Sequence, residues 1–138
     1  MEDFFCTIYY YTSGLYDQLL DNYLYGTIPG YLHIGIFLLV FSFIVCAVFY
    51  YGFAPVRRQT FWWFIYGGIN VMLNIGVALY YTMTPLINNE IEIDKAWTYL
   101  DCFGFCLANL IWSCIFFVIA SLIIKWGSIA KYVPFQRF

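Results

Sequence analysis

Few side chains in this sequence could carry chemistry, and those few stand among apolar neighbours. His33 is the only histidine. It falls near the start of a long apolar run, where an imidazole could accept a proton or bind a metal. Its neighbours are Tyr31, Ile36 and Phe37, so no second ligand stands at helical spacing and an interfacial polar residue is expected. Cys102 and Cys106 have the look of a metal pair, but a structural zinc site takes four ligands and no histidine or further cysteine completes them. No metal or other cofactor is therefore expected. The five cysteines (Cys6, Cys46, Cys102, Cys106 and Cys114) are too scattered for a disulfide framework. Cys6 and Cys102 fall on one side of the membrane and could pair in an oxidising compartment; Cys46 and Cys114 are expected as buried thiols. The stretch Asn88, Asn89, Glu90, Ile91, Glu92, Ile93, Asp94, Lys95 alternates acid with isoleucine. A calcium loop needs more oxygen ligands and a glycine at its turn, so this stretch reads as a solvated or partner-facing loop.

The strongest constellation is neutral. Asn70 and Asn74 are four apart, so in a helix they share one face. Gly67, Gly68, Gly76 and Ala78 lie on or near that face and allow another helix to approach closely. Cys102, Cys106, Asn109, Ser113 and Ala120 form a comparable stripe later in the chain, and Gly35, Ser42 and Cys46 form one earlier. The stripes are expected to face each other. A polar lining for an ion or solute is one use of such residues. Hydrogen bonding between helices, worth roughly 0.6 to 2 kcal/mol per bond, is the other and is the expectation here, because no ionisable group accompanies the amides.

Lipid-spanning helices must position these stripes. Of 138 residues, 64% are hydrophobic, 25% aromatic and 10% charged, against about 25% charged in a soluble domain. Crossing about 30 Å of hydrocarbon takes about 20 apolar residues in helix, since backbone polar groups cannot stay unpaired in lipid. Three runs qualify, at 31–53, 61–81 and 103–124, none holding Asp, Glu, Lys or Arg within its apolar stretch. The sequence thus predicts an all-α membrane protein with three transmembrane helices and an N-terminal amphipathic surface helix. The organisation expected is an outer-surface segment over 1–30, a transmembrane domain over 31–126 and a short cytoplasmic tail over 127–138. Pro29 and Gly30 bound the first span, Thr84 and Pro85 close the second, and Lys125, Trp126 and Gly127 close the third.

Orientation follows from the placement of Lys and Arg. Arg57 and Arg58 occupy the first loop; Lys125, Lys131 and Arg137 occupy the tail. The opposite side carries Lys95 and all eight acids: Glu2, Asp3, Asp17, Asp21, Glu90, Glu92, Asp94 and Asp101. This puts the N-terminus outside and the C-terminus in the cytoplasm, in a membrane such as the bacterial inner membrane. The acidic start, Met1, Glu2, Asp3, lacks the basic region of a cleaved signal peptide, so the chain is read as mature protein. Trp62, Trp63, Tyr66, Tyr80, Tyr81, Trp97, Tyr99 and Trp126 sit near the span boundaries as an aromatic belt.

Between the termini and the spans lie two segments of mixed character. From Ser13, read as an N-cap, Leu15, Tyr16, Leu19, Leu20 and Tyr23 share one helical face, while Asp17, Gln18, Asp21 and Asn22 share the other. A helix of this kind lies on the outer surface, held by apolar burial or by a partner. The tail holds Tyr132, Pro134, Phe135 and Phe138 among its basic residues, which suits docking on lipid headgroups or in a partner groove.

These features bound the function. No basic cluster fits nucleic acid, and no small-molecule substrate is evident. Enzymes inside a bilayer need a base, a nucleophile or a metal, and small three-span lipid kinases place carboxylates and basic groups at the membrane face, which these spans lack. The chain reads as a non-enzyme. The expectation is a structural subunit of a multi-protein membrane assembly, such as a secretion or injection machine or another envelope complex, with lipid and either other subunits or copies of itself as partners. The aromatic surplus motivates it, because three helices cannot bury that much ring area among themselves. In length, topology and short basic tail the chain also resembles the three-span phage holins. That resemblance implies the alternative, a homo-oligomeric pore former. A small channel or transporter comes third.

Overall fold

The computed structural model describes residues 2–53, 58–88 and 97–127. Three helices among them are long and apolar enough to cross a membrane: Gly30–Gly52, Gln59–Ile87 and Tyr99–Ile124, with mean hydropathies of 2.7, 1.4 and 2.4 over their most apolar windows. The protein is an all-α, multi-pass membrane protein, and each span packs on the other two. We label the helices α1 (Glu2–Tyr10), α2 (Gln18–Asn22), α3 (Gly30–Ala47), α4 (Gln59–Ile87) and α5 (Tyr99–Ile124). A wide π-type turn, Val48–Phe53, extends α3 to complete the first span. Arg57, Lys131, Tyr132, Pro134, Phe135, Arg137, Phe138 and the loop 89–96 lie outside the described residues.

Two span ends differ from the expected boundaries. Pro85 does not close α4; the helix continues through it to Ile87. Proline lacks an N–H and so removes one hydrogen bond, but a helix can absorb that loss in its last turn, and Asn88 N–H still donates to the Thr84 carbonyl at 3.0 Å. At the other boundary α5 begins at Tyr99, ahead of the expected 103. There the Asp101 carboxylate accepts from the Thr98 N–H at 2.9 Å and from the Thr98 hydroxyl at 2.5 Å. An acid in a first turn also suits the positive end of the helix dipole, so Asp101 belongs to the helix it caps and not to the loop before it.

The largest departure is the N-terminal segment. Ser13 does not cap a helix; its hydroxyl donates to the Tyr10 carbonyl at 2.8 Å and a 3-10 turn, Ser13–Leu15, follows. Asp17 takes the capping role instead, accepting from the Gln18 N–H at 2.7 Å to start the short α2. The segment does not lie flat as a surface helix. It folds into one end of the bundle, with α1 against α3 and the 3-10 turn against α5. Its inward face is Phe5, Ile8, Tyr9, Tyr16, Leu20 and Leu24, all buried, whereas Leu15 and Leu19 of the expected face are exposed. The helical period failed here because a 3-10 turn and a π-type turn, Tyr23–Thr27, reset the phase on either side of α2.

Candidate functional site

Two glycines make room for this plug. A Cβ on Gly35 of α3 would stand 2.2 Å from the Phe5 ring, and one on Gly104 of α5 would stand 1.9 Å from the Leu15 carbonyl oxygen. Only a residue without a side chain admits so close an approach. Rings fill the space between: Tyr9 stacks on Tyr31 at 5.2 Å between centroids, and the Phe105 ring lies 5.3 Å from Tyr9 and 5.2 Å edge-on from Tyr16. Such ring pairs contribute about 0.5 to 1.5 kcal/mol each beyond their burial. The Tyr16 hydroxyl lies 3.0 Å from that of Tyr31, which in turn donates to the Asp21 carboxylate. Burial pushes the Tyr9 phenol well above its ordinary range, with Tyr16 adding to the effect. Burial likewise pushes Tyr16 up, to about 12, against the opposing pull of its contact with Tyr31.

Below the plug lies the polar stripe, and its members do meet. Asn70 Nδ2 donates to the Ser42 hydroxyl at 3.3 Å and to the Ser113 carbonyl at 3.2 Å, so one amide of α4 bridges α3 and α5. Asn74 Nδ2 donates to the Asn70 carbonyl at 2.9 Å, and Asn109 Nδ2 donates across to the Asn74 carbonyl at 2.8 Å. The Tyr9 hydroxyl completes the series by donating to Asn109 Oδ1 at 2.5 Å. All six side chains are buried. A continuous series of neutral hydrogen bonds therefore ties the plug to all three spans. One acceptor in it, Asn74 Oδ1, is buried without a partner, as is the indole N–H of Trp112.

Sequence reasoning placed Ser42, Asn70, Asn74, Asn109 and Ser113 on inward faces but missed Tyr9, which is 100 residues from its acceptor. It also missed the Thr82 carbonyl, which accepts from the Trp97 indole at 3.1 Å and the Cys102 thiol at 3.6 Å. Other members of the stripes lie elsewhere than expected. Gly67 touches the Phe117 ring, but Gly68 and Gly76 are exposed, with open space where a Cβ would be. Cys114 is exposed on α5, contrary to its expected burial, because it sits on the outward face next to Ser113. None of Cys6, Cys46, Cys102 and Cys106 is joined in a disulfide. His33 lies 5.8 Å from the Tyr81 ring, and no group of metal-binding side chains occurs among the described residues.

The far end of the bundle has its own core of Val45, Cys46, Phe49, Tyr50, Trp63, Phe117 and Ala120. There the Trp63 indole donates to the Ser121 hydroxyl at 2.8 Å, and the Tyr51 hydroxyl donates to the Ile124 carbonyl at 3.0 Å. Of the topology residues, Arg58 is exposed with a left-handed backbone (φ 52) at the start of α4, whereas Lys125 is buried at the end of α5. What the central arrangement can do chemically is hold neutral groups in fixed pairing; its amides and hydroxyls supply no nucleophile activated by a base. No known protein family, curated protein or solved structure matches this chain.

Proposed function

We propose that the protein is a non-catalytic structural subunit of a multi-protein membrane assembly, a secretion or injection machine or a comparable envelope complex, anchored by its three spans. The observation that carries this reading is the two-sided use of the N-terminal segment. Its inner face is consumed by the bundle, yet Phe4, Tyr10, Tyr11 and Tyr25 remain 55 to 78% exposed outside the membrane-spanning residues. Exposed rings on a segment that is not itself a span are the usual raw material of a protein interface. A photo-reactive residue in place of Tyr11, in native membranes, should crosslink to a chain of different mass. A ladder of self-adducts alone would favour the holin-type pore former instead, and adducts to lipid alone would remove both.

The same reading places the protein in a bacterial inner membrane with the N-terminus outside and the C-terminus in the cytoplasm, supported by the charge asymmetry of Arg57, Arg58, Lys125, Lys131 and Arg137 against the acids. A membrane-impermeant thiol reagent should label a cysteine substituted for Asn89 in intact cells, and one substituted for Gln59 only after permeabilisation. Labelling of the Gln59 position in intact cells reverses the orientation.

A further inference from the structure

At the end of the bundle away from the plug, Lys125 presents an unresolved charge. Its side chain is 2% exposed and its ammonium has no hydrogen-bond partner among the described residues. The Trp126 ring centroid lies 5.8 Å from Nζ. A cation that is buried and unpaired is costly. The negative end of α5 offsets part of that cost, but it amounts to about half an elementary charge, and no carbonyl reaches the ammonium.

The register between spans shows what stands opposite. Trp63 of α4 bonds to Ser121 of α5, and its ring lies 5.2 Å from that of Phe117. The two helices run antiparallel, so one turn back from Trp63 and one turn on from Ser121 bring Gln59 and Lys125 to the same level. Lys125 thus stands at the level of the first turn of α4. That turn holds no acid, and no side chain caps it. Its N–H groups supply partial positive charge to the same place, and Arg58 stands exposed immediately before it. Lysine, helix N-terminus and arginine thus fall at one level of the bundle, with no anion there among the described residues.

We propose that this end of the bundle binds a phosphate group, with Lys125 as its buried counter-charge and the first turn of α4 as its hydrogen-bond donor. Helix N-termini and lysines together form common phosphate sites. The site lies where spans end and where the Trp126 ring is exposed, at the depth of phospholipid headgroups. The phosphate can come from an anionic phospholipid or from free phosphate in solution. Either source gives the ammonium the partner that the described residues do not. The proposal stands on the bundle alone and does not depend on the assembly reading or on which side faces the cytoplasm.

The test is native mass spectrometry of the full chain from nanodiscs holding equal parts of phosphatidylglycerol and phosphatidylcholine with identical acyl chains. The wild type should retain the anionic lipid preferentially. Lys125→Met should reduce that preference about fivefold, the scale expected for one basic residue at a membrane surface, and Lys125→Arg should keep it. A parallel arm adds millimolar inorganic phosphate: displacement of the lipid without loss of the added phosphate assigns the site to the free anion, and persistence of the lipid assigns it to the headgroup. Equal retention of both lipids by the wild type, with no bound phosphate, overturns the proposal even if Lys125→Met fails to fold. So does an undiminished preference in a folded Lys125→Met protein.

Discussion

The two ends of this bundle solve the same problem in opposite ways. Three helices packed side by side leave a space where they end. At one end the chain fills it with its own N-terminal segment, so that Tyr9, Tyr16 and Tyr31 pack among Phe5, Phe105 and Trp97 and the phenols find oxygen partners. At the other end a smaller core of Trp63, Phe117 and Tyr50 closes around one hydroxyl, Ser121, and leaves the Lys125 ammonium unpaired. Among the described residues of the plugged end, down to Asn109, no buried side-chain nitrogen or oxygen lacks a partner. The Lys125 ammonium of the basic end does. A region whose polar groups are paired is built for rigidity, whereas a buried charge without a partner marks a place where something else must complete the structure.

The comparison breaks first where the plug meets backbone. Gly104→Ala would drive a methyl into the Leu15 carbonyl, 1.9 Å away, and a backbone atom cannot rotate aside. Undocking or strain should cost about 3 kcal/mol, read as a lower thermal midpoint in detergent and as new protease cleavage between Tyr10 and Asp17. Gly76→Ala, which meets open space, should instead leave stability unchanged or raise it by up to about 1 kcal/mol through helix propensity. Equal effects from the two substitutions would mean that the plug is not seated.

A second, smaller effect should appear in alkali. The Tyr16 phenol stands at about 12 in the folded protein against 10 when exposed. The unfolded chain therefore loses this proton first, so the contribution is complete below pH 10 and is lost as pH rises through about 12. Docking of the segment should weaken across that window by on the order of 2 kcal/mol. Tyr9 is raised further still, so its own loss begins at the same pH 10 and continues above 12. Tyr16→Phe should therefore lessen the slope between pH 10 and 12 without abolishing it, and leave the slope above 12 unchanged, measured by protease protection against pH.

The smallest effects lie inside the polar series. Tyr9→Phe leaves Asn109 Oδ1 without its donor and should cost about 1 to 2 kcal/mol. Asn74→Leu removes an amide whose own oxygen is already unpaired and should cost only about 1 kcal/mol, since the chain in lipid finds other partners. Both are read by the denaturation midpoint in mixed micelles. If Asn74→Leu kept its stability while an ion or solute flux disappeared, the series would be a conduction path and the structural reading would fall.

Hydropathy alone determined that three helices cross the membrane, because the cost of an unpaired peptide group in hydrocarbon leaves a long apolar run no other fold. The four-residue spacing of Asn70 and Asn74 likewise fixed which face of α4 turns inward, since helical periodicity is a property of the local chain. Tertiary structure decided what those faces meet. Tyr9 reaches Asn109 and Phe5 reaches Gly35 only after the chain has folded back on itself, and no local pattern records a partner many residues away. Amphipathicity showed that 1–30 has an apolar side, but an apolar side satisfies itself equally in lipid or in protein. Gly35, which admits the Phe5 ring, and Gly104, which admits the Leu15 carbonyl, are what chose protein.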